Sequence, residues 1–133
     1  MSYVKLIYHI VFRTKGSVQA INTENERELY AYIYGITKSY NAFVHRIGGM
    51  PDHIHILLEL PPTISLSEFM RELKKSTSKW IKESKKFPHF IGWAEGYAAF
   101  SYSRNEICAV TNYIKNQKEH HRKISFIEEY RAW

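Results

Sequence analysis

Asn41-Ala42-Phe43-Val44-His45-Arg46-Ile47-Gly48-Gly49-Met50-Pro51-Asp52-His53-Ile54-His55-Ile56-Leu57-Leu58-Glu59-Leu60 is the stretch from which the fold is read. Two strand-like runs, Asn41 to Ile47 and Ile54 to Leu60, flank Gly48-Gly49-Met50-Pro51-Asp52, a segment dense in turn residues. That pattern predicts a β-hairpin. His53-Ile54-His55 opens its second strand. Side chains alternate across a strand, so the two imidazoles project from one face while Ile54 points from the other into the core.

Toward the N-terminus, Tyr3 to Phe12 alternates and is rich in β-branched and aromatic residues before Thr14-Lys15-Gly16-Ser17, which predicts a strand and a turn. From Thr23 onward, Leu29, Ile33, Ile36 and Tyr40 form one apolar helical stripe, and Thr23 with Glu26 reads as a capping box. Toward the C-terminus, Pro61-Pro62 ends the hairpin and Ser65 with Glu68 forms a second capping box. Leu66, Phe69, Leu73, Thr77 and Trp80 follow at helical spacing. Lys85 to Ala94 reads as a loop with aromatic plugs, and Tyr97 to Tyr102 as a short strand. Ser103 with Glu106 caps a helix bearing Ile107, Val110 and Ile114, and Ser125 with Glu128 opens a last helix. The order βαββαβ followed by helices predicts a ferredoxin-like α+β sandwich, an antiparallel sheet with two helices on one face, and residues 1–133 as a single domain. Many unrelated functions use that architecture, so function has to come from a site.

Nineteen Lys and Arg against thirteen Asp and Glu give a net charge of +6, which favours anionic partners such as nucleic acid or an acidic lipid surface. One cysteine, Cys108, excludes an intramolecular disulfide and a thiolate zinc site and fits a cytoplasmic setting. Lys5, His9 and Arg13 interrupt the apolar N-terminus, so neither a signal-peptide core nor a membrane-spanning run is expected there. No P-loop is present, and no nucleotide cofactor is expected.

His53 and His55 are either half of a metal site or two strand histidines with no ligand. Tyr113 and Gln117, four residues apart, share one face of a helix. Tyr113 is an amphipathic residue sealing the edge of the core, or else a phenol positioned to attack phosphorus. Gln117 is a surface residue, or else an amide oxygen for a divalent ion. His120 and His121 are ligands, phosphate contacts or exposed residues. Arg71, Lys74, Lys75, Lys79, Lys82, Lys85 and Lys86 form the densest positive region, with Trp80, Phe87, Phe90 and Trp93 among or beside them. They are a solvated face, or a track on which cations hold a DNA backbone and aromatic rings stack on unpaired bases.

Met50-Pro51-Asp52-His53-Ile54-His55-Ile56-Leu57-Leu58, Trp93-Ala94-Glu95-Gly96-Tyr97-Ala98-Ala99-Phe100-Ser101, Tyr113-Ile114-Lys115-Asn116-Gln117 and His120-His121, in this order and spacing, resemble the single-tyrosine HUH transposases of the IS200/IS605 type, a family that includes REP-associated relatives. The resemblance implies that a C-terminal helix carries the catalytic Tyr113, and that His53, His55 and Gln117 hold a divalent metal, Mg2+ or Mn2+. It also implies single-stranded DNA with hairpin ends as substrate, a 5′-phosphotyrosine intermediate with a free 3′-hydroxyl, a homodimer, and action in the cytoplasm on the nucleoid. It leaves open whether Tyr113 serves its own histidine pair or a partner's. Two other readings are a domesticated relative that processes repeated palindromes, and a noncatalytic single-stranded nucleic-acid-binding module using the sheet as its platform.

Overall fold

The computed structural model describes residues 6–102 and 107–116. In chain order the elements are β1 (Leu6–Arg13), α1 (Glu26–Ser39), β2 (Phe43–Met50), β3 (His53–Leu60), α2 (Leu66–Ser84), β4 (Ala98–Ser101) and α3 (Ile107–Lys115). The expected start of the first strand at Tyr3, the Ser103/Glu106 cap and the helix opened by Ser125 and Glu128 lie outside the described residues.

The strands form one sheet in the order β2-β3-β1-β4, with every neighbouring pair antiparallel, which is the ferredoxin-like arrangement. Register places Val11 opposite His55 and Arg13 opposite His53. Helices α1 and α2 cover one face. There Ile10 and Phe12 of β1, Ile54, Ile56 and Leu58 of β3, Leu29 and Ile33 of α1, and Phe69 and Leu73 of α2 build the main core. Helix α3 covers part of the opposite face, where Ile7, Leu57, Val110 and Ile114 form a smaller cluster with Tyr102 and Tyr113 at its margin. Covering both faces buries β3 along nearly its whole length, which explains the apolar run from Ile56 to Leu58 in place of strict alternation.

Two local expectations are corrected. Gly48, Gly49 and Met50 belong to β2, so the turn contracts to Pro51-Asp52. The glycines serve close approach. A Cβ on Gly49 would stand 2.3 Å from the His53 carbonyl oxygen, and one on Gly48 would stand 2.8 Å from Cγ2 of Ile114. The first helix is not capped by Thr23 either; its N-cap is Asn25, whose backbone N–H donates to the Asn22 side-chain oxygen at 2.9 Å. The amides of Asn22 and Asn25 both donate to the Lys86 carbonyl, tying the start of α1 to the end of α2. That tether fixes the entry of the chain two residues later than the capping box would have. At α2 the expected cap forms, with Ser65 Oγ accepting from the Glu68 N–H at 3.2 Å.

The loop before β4 does carry aromatic plugs. Phe87 and Phe90 are buried in the main core, and Trp93 packs edge-on against Phe12 while its indole N–H donates to Thr77 Oγ1 at 2.9 Å. Their rings fill space between the layers, Trp93 only in part. Among the described residues no helix is long and apolar enough to cross a membrane.

Leu73 is fully buried between α2 and the sheet. Leu73→Ala should lower the free energy of unfolding by about 3 kcal/mol, whereas Lys79→Ala, on the exposed side of the same helix, should change it by less than about 0.5 kcal/mol. Urea denaturation of the two variants checks the layer assignment, and equal effects would contradict it.

Candidate active site

Alternation along β3 sends Ile54, Ile56 and Leu58 toward the helices and His53, His55 and Leu57 toward α3. Both imidazoles are completely buried, with ring centroids 5.0 Å apart. Each has its Nδ1 engaged by a different neighbour.

His53 Nδ1 lies 2.6 Å from a carboxylate oxygen of Asp52, the turn residue just before it. A carboxylate accepts, so Nδ1 carries the hydrogen and the ring's lone pair sits on Nε2. His55 Nδ1 lies 2.8 Å from Nε2 of His9, whose ring stacks on that of His55 at 5.0 Å and 26°. His9 comes from β1. Its strand position gives it the same face, and the rings of Phe100 and Tyr102 lie 6.3 and 6.2 Å from its own. Burial holds the His9 pKa down to about 4, so the ring is neutral at pH 7.

Tyr113 of α3 closes the group. Its ring meets His55 in a T-shaped contact with centroids 6.2 Å apart, and its hydroxyl oxygen is shielded from solvent. Helix α3 reaches this position because Ile114, the next residue, lies directly over Gly48 of β2. The structure therefore brings His53, His55 and Tyr113 of one chain together on one face of the sheet. Gln117, His120 and His121 lie outside the described residues. Among the described residues no group of three or more His, Cys, Asp or Glu is placed to hold a metal ion.

The basic residues are placed elsewhere. Arg71, Lys75, Lys79 and Lys82 are exposed along the outer face of α2, in the layer on the far side of the sheet from His53 and His55, with Lys85 and Lys86 exposed just beyond. Lys86 pairs with Glu28 at 2.6 Å. Lys74 turns inward. Its ammonium donates to the Ala94 carbonyl at 2.9 Å and to the Gly96 carbonyl, and sits over the Tyr97 ring. Partial burial lowers its pKa, and its role in the fold is to fasten the loop that leads into β4.

Sequence reasoning did not single out Asp52 or His9 for the site. Asp52 read as a turn residue and His9 as an interruption of an apolar run. It also missed a cleft of about 260 Å3 at the β2 edge, lined by Glu26 and Arg27 of α1, Arg46 of β2 and Lys115 of α3, the last of these two residues along the helix from Tyr113.

A family model described as "Transposase IS200 like" matches residues 2–117. The transposase of insertion sequence IS200 from Salmonella typhimurium is 32% identical over 117 residues, covering 84% of this chain and 76% of that protein. The ISDra2 transposase TnpA of Deinococcus radiodurans is 23% identical over 120 residues, 86% of each chain. Among solved structures, one assigned as a transposase from Deinococcus radiodurans R1 is 27% identical and superposes with a TM-score of 0.69 over 88% of this chain and 95% of the other. A REP-associated tyrosine transposase bound to a REP hairpin shares the fold, with a TM-score of 0.68 at 16% identity over 91% of this chain and 72% of the other.

The His9 environment sets a pH dependence. Above about pH 6.5 the ring is neutral whether the chain is folded or not. Between 6.5 and about 4 the unfolded chain binds a proton that the buried ring refuses, so stability falls with pH across that window. From pH 7 to pH 5 the metal-free protein should lose about 2 kcal/mol more than His9→Gln does, measured by urea unfolding at the two pH values. Equal losses would show that His9 titrates normally. A second outcome follows from Gly48: Gly48→Val should lift α3 from β2, with amide hydrogen exchange across Val110 to Lys115 accelerating at least about tenfold while Ile56 to Leu58 stay protected.

Proposed function

The chain belongs to the family of IS200-like transposases, and from that membership we propose that it cleaves and rejoins single-stranded DNA at hairpin-marked element ends through a phosphotyrosine formed on Tyr113. The observation that carries this reading is the packing of the Tyr113 ring against His55, beside two buried imidazoles whose Nδ1 atoms are both engaged.

Phosphodiesters resist attack because their own negative charge repels nucleophiles. His53 and His55 would hold a divalent ion through Nε2, and Gln117, one helical turn beyond Tyr113, would add its amide oxygen. When bound, such an ion, Mg2+ or Mn2+, supplies positive charge at a non-bridging phosphate oxygen. The donor set fits this task. Asp52 sets the tautomer of His53, neutral ligands leave the ion's charge undiminished, and nitrogen donors suit Mn2+ better than the strictly oxygen-seeking Mg2+.

The Tyr113 oxygen attacks phosphorus and loses its proton. The bond from phosphorus to the 3′ oxygen breaks, and that oxygen takes up a proton to become a 3′-hydroxyl. The new phosphotyrosine keeps the energy of the broken ester, so a DNA 3′-hydroxyl can attack it, release the Tyr113 phenol and rejoin strands without a nucleotide cofactor. Burial of the phenol oxygen excludes water, which would otherwise hydrolyse the covalent link. The contact between Tyr113 and His55 of the same chain supports cleavage in cis in this arrangement, while a homodimer would allow the tyrosine helix to serve a partner's histidines. A hairpin substrate gains support from the structural neighbour that is bound to one. The exposed cations of α2 and those of the cleft at the β2 edge supply charge for the flanking backbone, and the reaction would take place in the cytoplasm on the nucleoid.

With a labelled single strand carrying the hairpin that flanks the coding region, and Mn2+ present, wild type should form a denaturant-resistant protein–DNA adduct. Tyr113→Phe should bind the same strand within about threefold of wild type but form no adduct, and His55→Ala should slow adduct formation by at least about 100-fold. Binding without any adduct in wild type would support the noncatalytic module instead.

A further inference from the structure

His9 is an ionisable side chain with no solvent exposure in the middle of β1, where burial of a polar ring is costly and a hydrogen bond through Nε2 offsets part of that cost. It has no part in the proposed reaction. Its Nε2 stands 2.8 Å from His55 Nδ1, and one hydrogen lies between the two nitrogens. If that hydrogen belongs to His9, His55 is left with its own proton on Nε2 and no lone pair there. If it belongs to His55 Nδ1, the lone pair is on Nε2. Only the second arrangement lets His55 coordinate through Nε2.

We propose that His9 is a positioning residue for this site: it accepts the Nδ1–H of His55 and so fixes the tautomer and ring orientation in which His55 can serve as a metal ligand. The inference rests on the ligand role given to His55 above. It makes the site a matched pair, each imidazole held at Nδ1 by its own acceptor, Asp52 for His53 and His9 for His55. The two acceptors differ for a physical reason. Asp52 is partly exposed in a turn and can keep a charge there, whereas position 9 is walled by Phe100, Tyr102 and the His55 ring. A carboxylate at position 9 would be buried without solvent, and would also subtract charge from the ion. A neutral imidazole accepts the same hydrogen without either penalty.

Long-range 1H–15N NMR on the metal-free wild-type protein should show His55 protonated on Nδ1. Calorimetric titration with Mn2+ should then show His9→Leu binding about 10- to 100-fold more weakly, and His9→Gln, whose Oε1 accepts the same hydrogen, binding within about threefold of wild type. A purely structural role for His9 would not move the tautomer and would not be rescued by an acceptor. His55 protonated on Nε2 in wild type, or Mn2+ affinity unchanged in His9→Leu, would overturn the inference while leaving Tyr113 chemistry intact. No Mn2+ uptake by wild type would overturn the ligand role of His55 and the inference with it.

Discussion

The structure depends on burying β3 on both of its faces. One face, Ile54, Ile56 and Leu58, holds the sheet to α1 and α2; the other carries His53 and His55 beneath α3. A strand buried twice has no freedom to slip, because moving it by one residue would drive two imidazoles into the apolar core and two or three aliphatic side chains into the site. The register of β3 against β1 therefore sets both the core and the chemistry. It also places His9 and Arg13 on the site's face and pairs Val11 with His55. The imidazole geometry is a consequence of core packing, secured by hydrophobic burial on the opposite side of the same strand.

How much of this was legible in sequence depended on whether a feature was local. Alternation put His53 and His55 on one face, Ser65 and Glu68 marked a helix start that forms as read, and the βαββαβ order implied the observed sheet. The failures share a cause. Gly48 and Gly49 read as turn residues because glycine is common in turns, yet they are strand residues whose missing Cβ atoms make room for Ile114 and for the β3 backbone. Asn25 displaces Thr23 as the cap because a carbonyl at Lys86, some sixty residues away, holds the loop before α1. His9 looked like a blemish in an apolar run until the register of β1 against β3 was known. In each case the deciding partner is distant in the chain, and no window of sequence contains it.

The charge distribution raises a separate constraint. The exposed ridge of Arg71, Lys75, Lys79 and Lys82 and the imidazole pair lie on opposite sides of the sheet, so a DNA strand that touches both must pass round a sheet edge. At the β2 edge, Arg27, Arg46 and Lys115 line a cleft between the two sides, with Lys115 on the helix that carries Tyr113. Coulomb attraction falls off over about 10 Å at moderate salt, so in the proposed reaction the cations nearest Tyr113 would have more influence on the phosphate it attacks than the denser ridge behind the sheet. Under the same proposal the ridge would suit duplex or hairpin backbone at a distance from Tyr113. Composition counted both groups together as a surplus of +6, and only the fold separates them.

The proposed chemistry also gives a reason for the mainly neutral residues around the Tyr113 phenol. In the proposed reaction, attack by Tyr113 would build negative charge on the phosphoryl and leaving oxygens beside a phenol oxygen shielded from water, where unscreened charges interact strongly. Carboxylates placed there as ligands would oppose that charge. Among the described residues the carboxylate at the imidazole pair is Asp52, held against His53 Nδ1, where it orients the ring. At position 9, where no solvent is available to support a charge, the acceptor is an imidazole whose burial keeps it neutral. Placing charge only where the turn can solvate it, and neutral acceptors where it cannot, lets one strand pair be both a stable core element and the wall of a polar site.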